Sequence, residues 1–292
     1  MKGLKNNSLG AVWEWFSKLI SDKYNELEVR AIGRIVFEYL LNITSTDILI
    51  NRDIRINESH IVQLHKIAKQ LNQDVPVQYI TGKAYFRELE LEVNNNVLIP
   101  RGETEELVQL IKDDFDLIKN KNTERTVCWD IGTGSGAIAI SLAKEIEAVH
   151  VVASDINETI LQTARKNAVL NNVHIDFFIH DILENSPPEI QYDCIVSNPP
   201  YVRESEKAQM QKNVLDHEPH NALFVPDSNP LIYYSSIVSA AKTTLNPSGA
   251  LYVEINEALG RETAELLEHN GFSSVEIRKD MHGKERFVRG RF

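Results

Sequence analysis

Apolar residues in the first quarter of the chain follow the spacing of amphipathic helices. Steps of three and four are clearest at Val29, Ile32, Val36 and Tyr39 and, further on, at Ile61, Leu64, Ala68 and Leu71. Such steps place side chains on one face of a helix, and Asn25 is a suitable N-cap for the helix that follows it. The sequence therefore predicts a helical bundle over residues 1–75. Its His and carboxylate residues form no recognisable catalytic group, so we expect it to dock a substrate rather than to carry chemistry.

Short alternating segments replace this spacing after Pro76. Apolar residues at 85–86 and 89–93 are followed by three asparagines at 94–96, a pattern typical of strands that end in a turn. We interpret residues 76–99 as a hairpin linker.

Strand-like and helix-like segments alternate after Arg101. Continuous apolar runs at 151–153 and 194–196 suit strands that are buried on both faces of a parallel sheet. The predicted strands lie near residues 126–131, 149–154, 173–178, 192–197, 249–255, 273–278 and 286–291, and the predicted helices near 103–119, 136–146, 157–170, 231–245 and 259–269. This order predicts a doubly wound α/β domain over residues 100–292, in which ligands bind at the carboxyl ends of the strands.

Composition and charge narrow the class of protein. The chain has 292 residues, 42% of them hydrophobic and 25% charged, which excludes collagen-like, low-complexity and disordered proteins. Asp and Glu outnumber Lys and Arg by 42 to 31, a net charge of −11, and this disfavours nucleic acid as the main partner.

The cysteine count and the lengths of the apolar runs indicate the cellular compartment and whether the protein associates with a membrane. The chain has two cysteines, Cys128 and Cys194, and no Cys and His residues at zinc spacing, so we expect reduced thiols, no metal and a cytoplasmic location. No apolar run approaches the roughly 18 residues of a membrane span. We therefore expect no association with a membrane.

A glycine-rich segment joins the first strand of the α/β domain to the next helix. Its candidate cofactor-binding residues are Asp130, Gly132, Thr133, Gly134, Ser135 and Gly136. Glycines let the backbone turn sharply and approach a ligand closely. Asp155 ends the next strand, where an acid that binds ribose belongs. Taken alone, this pattern fits either a nicotinamide dinucleotide or S-adenosylmethionine.

The carboxylate of Asp130 favours S-adenosylmethionine. A dinucleotide would place two phosphates over the loop, and a carboxylate about 4 Å away would oppose each charge by about 4 kcal/mol at an effective dielectric constant of 20. S-adenosylmethionine has no phosphate, and an acid attracts its sulfonium and ammonium groups. Asp155 could instead cap a helix, but Asn157 and Glu158 already supply that helix start.

A second motif, Asn198, Pro199, Pro200 and Tyr201, ends the fourth strand of this domain and supplies the candidate catalytic residues. Two consecutive prolines make the loop stiff and leave its carbonyls free to accept hydrogen bonds. A planar NH2 group is a poor nucleophile because its lone pair is delocalised. If Asn198 Oδ1 and the Pro199 carbonyl each accept one of its hydrogens, the lone pair is held toward a methyl donor. We expect Tyr201 to form an apolar wall.

Together these motifs, with His180-Asp181 after the third strand, resemble those of class I S-adenosylmethionine methyltransferases. Two longer segments, residues 76–82 (PVQYITG) and 97–105 (VLIPRGETE), narrow the resemblance to the HemK/PrmC family, the peptide chain release factor glutamine methyltransferases. The resemblance extends from about Pro76 to the C-terminus, and the family also has a short helical N-terminal domain. It implies a Rossmann-like α/β fold with a seven-stranded, mostly parallel sheet.

The resemblance also implies a substrate and residue roles. The substrate would be the glutamine of the Gly-Gly-Gln motif in class I release factors, methylated on its side-chain nitrogen. Gly132, Gly134 and Gly136 would line the methionine end of the cofactor, Asp155 would hold the ribose and Asp181 would meet the adenine. Residues 198–201 would hold the glutamine amide, with Asn198 also beside the cofactor.

Two positions depart from the family pattern, and two other functions stay open. The family usually has Pro where Gly102 stands and Gly where Ser228 stands. These departures change the expected rigidity of the chain at the two positions.

An N6-adenine or other amino-group methyltransferase acting on nucleic acid would share the tetrapeptide, although the net charge disfavours it. A catalytically silent module that binds release factors would not need Asn198 or the glycine loop. We expect a monomer whose partners are class I release factors.

Overall fold

The structure is a computed structural model that describes residues 3–115 and 125–292. The chain divides into two compact units, one of Met1–Gly82 with Gln211–His217 and one of Lys83–Met210 with Glu218–Phe292. This division falls after Gly82, whereas the pattern predicts limits at residues 75 and 99. No helix in the described ranges is long and apolar enough to cross a membrane.

The helices and strands are as follows. The helices are α1 (Leu9–Ile20), α2 (Glu26–Leu41), α3 (Ser45–Ile50), α4 (Glu58–Asn72), α5 (Val77–Thr81), α6 (Gly102–Asp113), α7 (Ala137–Glu145), α8 (Glu158–Leu170), α9 (Lys212–His217), α10 (Ile232–Thr244) and α11 (Gly260–His269). The strands are β1 (Lys83–Phe86), β2 (Leu89–Glu92), β3 (Thr126–Ile131), β4 (Val149–Asp155), β5 (Asp176–Ile179), β6 (Tyr192–Ser197), β7 (Val202–Arg203), β8 (Phe224–Val225), β9 (Leu245–Glu254), β10 (Ser274–Lys279) and β11 (Glu285–Arg291).

Helices α1 to α5 and α9 form the smaller unit. Asn25 caps α2 as predicted: its side chain accepts from the amides of Leu27 and Glu28, while the Glu28 carboxylate accepts from the Asn25 amide. The expected core face of α4 is buried, but Tyr39 in α2 is 49% exposed. The side chain that replaces it in the core is Phe37, which packs edge-on against Phe16.

The larger unit contains a seven-stranded sheet in the order β10-β11-β9-β6-β3-β4-β5. Neighbours from β9 to β5 run parallel, whereas β11 pairs antiparallel with both β9 and β10. The predicted mostly parallel α/β fold is therefore confirmed. Strand β5 begins at Asp176 rather than near 173, and the predicted helix near 103–119 ends at Asp113, with residues 116–119 outside the described ranges. The order of strands reverses between β3 and β6, so the carboxyl ends of β3, β4 and β6 meet where such sheets bind ligands.

The predicted hairpin linker is a helix followed by a hairpin that belongs to the larger unit. Helix α5 ends at Gly82, whose positive φ of 70° suits the left-handed C-cap of a helix. Phe86, Leu89 and Leu91 of the hairpin are buried in an apolar cluster on one face of the sheet. Residues 83–99 therefore pack as part of the domain and do not form a linker.

Asn167, on α8, joins this hairpin to the glycine-rich loop. Its Oδ1 accepts from the Glu92 amide at 2.6 Å, and its Nδ2 donates to the carbonyls of Glu92 at 2.9 Å and Ser135 at 2.8 Å. The side chain is fully buried, so these bonds compensate its desolvation.

Cys128 and Cys194 lie opposite each other on the neighbouring strands β3 and β6. Both are buried and free, and burial raises the pKa of the Cys194 thiol well above its ordinary value. The Cys194 thiol is therefore protonated at neutral pH, and burial keeps both cysteines from reagents in solution.

Candidate active site

A cleft opens at the carboxyl ends of β3, β4 and β6, and its empty volume, including the part open to solvent, is about 1150 Å³. Most of the predicted site residues line it, namely Gly132, Thr133, Gly134, Ser135, Asp155, Asp181, Asn198, Pro199 and Pro200. Three predicted residues, Asp130, Gly136 and Tyr201, are not among its lining residues. The sheet thus brings together two motifs that are about 60 positions apart in the sequence.

The glycines of the loop after β3 have two different roles. Gly132 and Gly134 have positive φ values of 72° and 56°, and a Cβ at either position would meet no atom within 4 Å. The space beside them is the cleft, so their bare backbone leaves room for a ligand. A Cβ on Gly136 would instead lie 2.9 Å from Cδ1 of Ile140. Gly136 is therefore needed for the start of α7 and is not among the lining residues of the cleft, and its contact with a cofactor stays a prediction.

Asp155 ends β4 and turns its carboxylate toward the loop. Its Oδ2 accepts from the Gly134 amide and its Oδ1 from the Ile156 amide, both at 2.8 Å. Burial raises the pKa of Asp155, and these two hydrogen bonds oppose the rise. Each carboxylate oxygen keeps a further acceptor position. The residue lines the cleft, so it fits the hydroxyl groups of a ribose.

Asp130 is held inside the protein and does not face the cleft. Its Oδ2 accepts from the Thr133 hydroxyl at 2.7 Å and from the Ala139 amide at 3.2 Å. Its Oδ1 has no partner among the described residues, and burial raises the pKa of Asp130 to about 7. The residue therefore stabilises the loop and the start of α7, and its attraction of a cationic cofactor stays a prediction.

His180 and Asp181 line the opposite side of the cleft. The Asp181 carboxylate accepts from the Leu183 amide at 2.9 Å, which fixes the turn after β5. The His180 ring packs edge-on against Trp129, with ring centroids 5.5 Å apart, and burial lowers the pKa of His180. The imidazole is therefore neutral at neutral pH and forms part of an aromatic wall.

Asn198 is held by one hydrogen bond at the edge of the cleft. Its Nδ2 donates to the Thr104 hydroxyl oxygen at 2.9 Å. Just before it, the Ser197 hydroxyl donates to the Ile131 carbonyl at 2.7 Å and ties the tetrapeptide to β3. No donor from the described residues reaches Asn198 Oδ1 or the Pro199 carbonyl. Both oxygens therefore keep acceptor positions, and their use by a planar NH2 group stays a prediction.

The Tyr201 side chain, which is predicted to form an apolar wall, also has a polar partner. Its hydroxyl donates to Glu254 Oε1 at 2.9 Å, and burial together with the Glu254 charge raises the pKa of Tyr201 well above its ordinary range. A phenol needs a polar partner when it is buried, and here that partner lies at the end of β9. This hydrogen bond anchors the tetrapeptide to β9.

Comparison with known proteins identifies the family. Models of the PrmC N-terminal domain and of the methyltransferase small domain match residues 11–82 and 114–223. The release factor glutamine methyltransferase of Flavobacterium psychrophilum is 41% identical over 278 residues, which cover 95% of this chain and 96% of the relative. The protein of the same name from Bacteroides thetaiotaomicron is 39% identical over 283 residues, covering 96% and 99%.

The chain belongs to the release factor glutamine methyltransferase family. Among solved structures, the hMettl16 catalytic domain in complex with MAT2A 3′UTR hairpin 1 matches with a TM-score of 0.56 at 17% identity and covers 93% of this chain and 92% of that one. This likeness supports the methyltransferase fold and nothing finer.

Two residues of this glutamine methyltransferase family member complete the site and were missed by sequence reasoning. Thr104, on α6, lines the cleft, and its hydroxyl donates to Glu254 Oε2 at 2.7 Å. Glu254 is 1% exposed and ends β9. Thr104 lies in the segment 97–105 that carries the family resemblance, and a carboxylate that ends a buried strand is a recognisable signal. Their contact joins positions 150 residues apart and needs the strand order to be seen.

An ion pair also stands at the cleft. Arg101 lines it and contacts Glu218 through Nη2 and Oε1 at 2.7 Å, while the other Glu218 oxygen accepts from the Ile99 amide at 3.3 Å. The Glu218 side chain is 1% exposed, so the pair fixes the chain just before α6. In this family member, the fixed segment leads directly into α6, which carries Thr104.

Proposed function

We propose that the protein transfers a methyl group from S-adenosylmethionine to the side-chain amide nitrogen of the glutamine in the Gly-Gly-Gln motif of class I release factors. The observation that carries this proposal is the pair of available acceptors, Asn198 Oδ1 and the Pro199 carbonyl, in the same cleft as the glycine loop and Asp155. The relatives are named release factor glutamine methyltransferases, which supports this substrate.

Residues of this cleft suit each part of the cofactor. The bare backbone at Gly132 and Gly134 leaves room for the methionine end, Asp155 has acceptor positions for ribose hydroxyls, and Asp181 lies where the resemblance expects the adenine. When bound, S-adenosylmethionine supplies a methyl group on a positively charged sulfur.

The chemistry asked of the protein is mainly orientation. An amide nitrogen has little nucleophilic character because its lone pair is delocalised into the carbonyl. Two acceptors that each take one N–H hold the NH2 group so that its lone pair faces the methyl donor. As the nitrogen gains positive charge during transfer, hydrogen bonds to Asn198 and Pro199 become stronger, which stabilises the transition state over the ground state.

The direct test is mass spectrometry of a release factor incubated with the protein and S-adenosylmethionine. We expect one added methyl group, located on the Gly-Gly-Gln glutamine, and none on a release factor in which that glutamine is replaced by glutamate. An adenine-containing oligonucleotide in a parallel reaction tests the nucleic-acid alternative. Methylation of the oligonucleotide alone, or of neither substrate, would contradict the proposal.

We further infer that the smaller unit docks the release factor and that the protein works as a cytoplasmic monomer without binding nucleic acid. Two adjacent apolar side chains of α3, Leu49 and Ile50, are 71% and 70% exposed, and exposed apolar pairs suit contact with a protein. The net charge of −11 favours a basic partner surface.

The proposed substrate belongs to the translation machinery, which supports the cytoplasmic location.

A further inference from the structure

A chain of hydrogen bonds runs from the tetrapeptide into the protein interior. Asn198 Nδ2 donates to Thr104 Oγ1 at 2.9 Å, and Thr104 Oγ1 donates to Glu254 Oε2 at 2.7 Å. Thr104 is 5% exposed and Glu254 is 1% exposed, so water is largely kept from both links.

The carboxylate at the inner end determines the direction of every link. An ionised carboxylate only accepts hydrogen bonds, and a threonine hydroxyl has a single hydrogen to donate. Once Thr104 donates that hydrogen to Glu254, its oxygen can only accept from Asn198. Asn198 must therefore turn its NH2 group toward Thr104, and this leaves its Oδ1 for another donor.

We propose that Glu254 and Thr104 are positioning residues that hold the Asn198 amide with its oxygen, and not its nitrogen, toward the glutamine NH2 of the substrate. This inference rests on the proposed function. With the amide reversed, the Asn198 NH2 group would face the substrate NH2 group, so two donors would meet and the orienting hydrogen bond would be lost.

Further groups surround Glu254, and they act on the ionisation of its carboxyl group in both directions. The Tyr201 hydroxyl donates to its other oxygen, Oε1, and the Tyr234 hydroxyl donates to its backbone carbonyl at 3.0 Å. Among charged groups, Arg286 on β11 favours the ionised form, whereas Glu103 on α6 opposes it. Burial raises the pKa of Glu254. A protonated Glu254 could donate to Thr104 and permit the reversed chain, so acid should lower the rate of transfer.

Two substitutions of Thr104 separate hydrogen-bond direction from packing. Thr104→Val keeps the shape of the side chain and removes the hydroxyl, whereas Thr104→Ser keeps the hydroxyl and removes a methyl group. If direction matters, the valine variant should lose about 10- to 100-fold in the single-turnover rate on a release factor, the usual effect of removing a partner that orients a site residue. The serine variant should stay within about threefold of wild type. A purely structural role predicts the opposite order.

The matched control is Tyr234→Phe, which removes a buried hydroxyl from Glu254 without touching the chain. We expect its transfer rate to match wild type. Cofactor affinity, measured by calorimetry, and the KM for the release factor should stay within about threefold in all three variants, because the loss belongs to the transition state. Transfer by Thr104→Val at the wild-type rate would overturn the inference.

An assay that needs no turnover keeps the two proposals separate. The Asn198 side-chain NH2 signals, observed by 15N NMR, should shift and exchange faster with solvent in Thr104→Val but not in Thr104→Ser. Absence of any change in the valine variant would overturn the positioning role even if wild type proves inactive. An inactive wild type with the expected NMR changes would overturn the proposed function alone. If Thr104→Val does not fold, Thr104→Ala, which also removes the hydroxyl, is used in the same assays, with the same reduced rate expected and wild-type behaviour as the contrary result.

Discussion

At the scale of single residues, the chemistry of the site depends on which polar atoms already have a hydrogen-bond partner within the protein. The sequence indicates that Asn198 is a hydrogen-bonding residue at a strand end, but the hydroxyl of Thr104 determines which of its two amide atoms is available. The same holds for Asp130, which is predicted to attract the cofactor and whose Oδ2 accepts from Thr133 and Ala139. Residue type and position were therefore predictable, whereas donor and acceptor partners were not, since they come from other segments or from the local turn.

Substitution of Asn198 tests the orientation of the substrate amide. Asn198→Ala removes one acceptor and should lower the single-turnover rate of methyl transfer by about 10² to 10³, with little change in cofactor affinity. Asn198→Asp keeps an acceptor but cannot donate to Thr104, and it places a second carboxylate beside the one at Glu254. We therefore expect it to be no more active than the alanine variant at neutral pH. An aspartate variant near wild-type activity would show that the link to Thr104 is unimportant.

The buried carboxyl of Asp130 predicts a pH dependence of stability. Burial raises its pKa to about 7, above the unfolded value of about 3.9. Its contribution to stability is therefore fully present below about pH 4 and is lost as the pH rises through 7.

Asp130→Asn stays neutral and can keep both acceptor bonds, so it isolates this effect. Between pH 4 and 8, the free energy of unfolding of wild type should fall relative to the variant by on the order of 2 to 4 kcal/mol. Urea denaturation of both proteins across this range measures the difference. If the free energies of unfolding of the two proteins changed in parallel with pH, the Asp130 carboxyl group would not have a raised pKa in the folded protein.

At the scale of elements, the strongly patterned segments were predictable and the short ones were not. The buried runs of β4 and β6 identify central parallel strands, because only strands covered on both faces lack polar alternation. Helix α5 has five residues, too few to show a helical period. Helix α9 belongs to the smaller unit although it follows the tetrapeptide in sequence, an arrangement that no local pattern indicates.

The departure from the family at Gly102 can be tested at the start of α6. Gly102 is the first residue of the helix, and a Cβ there would meet no atom within 4 Å. Arg101 before it is extended, with φ −106° and ψ 149°, which is the conformation that a following proline requires. The first helical position tolerates proline because its amide has no partner within the helix.

Gly102→Pro should therefore stabilise the protein by about 0.5 to 1 kcal/mol through a less flexible unfolded chain. Thermal denaturation measures the gain, and Gly102→Ala is the control that adds a side chain without fixing φ. A proline variant less stable than the alanine variant would indicate that glycine is needed at this position.

At the scale of the whole molecule, a unit without a catalytic cluster accompanies a unit that contains the cleft. In the described ranges, no three His, Cys, Asp or Glu side chains are grouped as metal ligands. We propose on these grounds that the smaller unit binds the release factor and that the larger unit carries out methyl transfer. The sequence pattern predicted two units joined by a linker over residues 76–99, and the division after Gly82 falls within that range.

The proposed docking role predicts an effect that depends on substrate size. Replacing Leu49 and Ile50 together by serine should raise the KM for an intact release factor by about tenfold, equivalent to about 1.4 kcal/mol. The KM for a short Gly-Gly-Gln peptide should not change, because the peptide occupies only the cleft. Val169→Ser is the control, since this side chain is 77% exposed on the larger unit. Equal effects on both substrates would contradict a docking surface at α3.

The bridge made by Asn167 links the hairpin to the glycine-rich loop. Its side chain holds the backbone of Glu92 in the hairpin and the carbonyl of Ser135 in the glycine loop at the same time. The Glu92 amide can exchange its hydrogen only when this bridge opens, and opening also releases the loop. A ligand that orders the glycine loop should therefore slow hydrogen exchange at Glu92, a position outside the cleft, so that the hairpin reports cofactor occupancy without touching the cofactor.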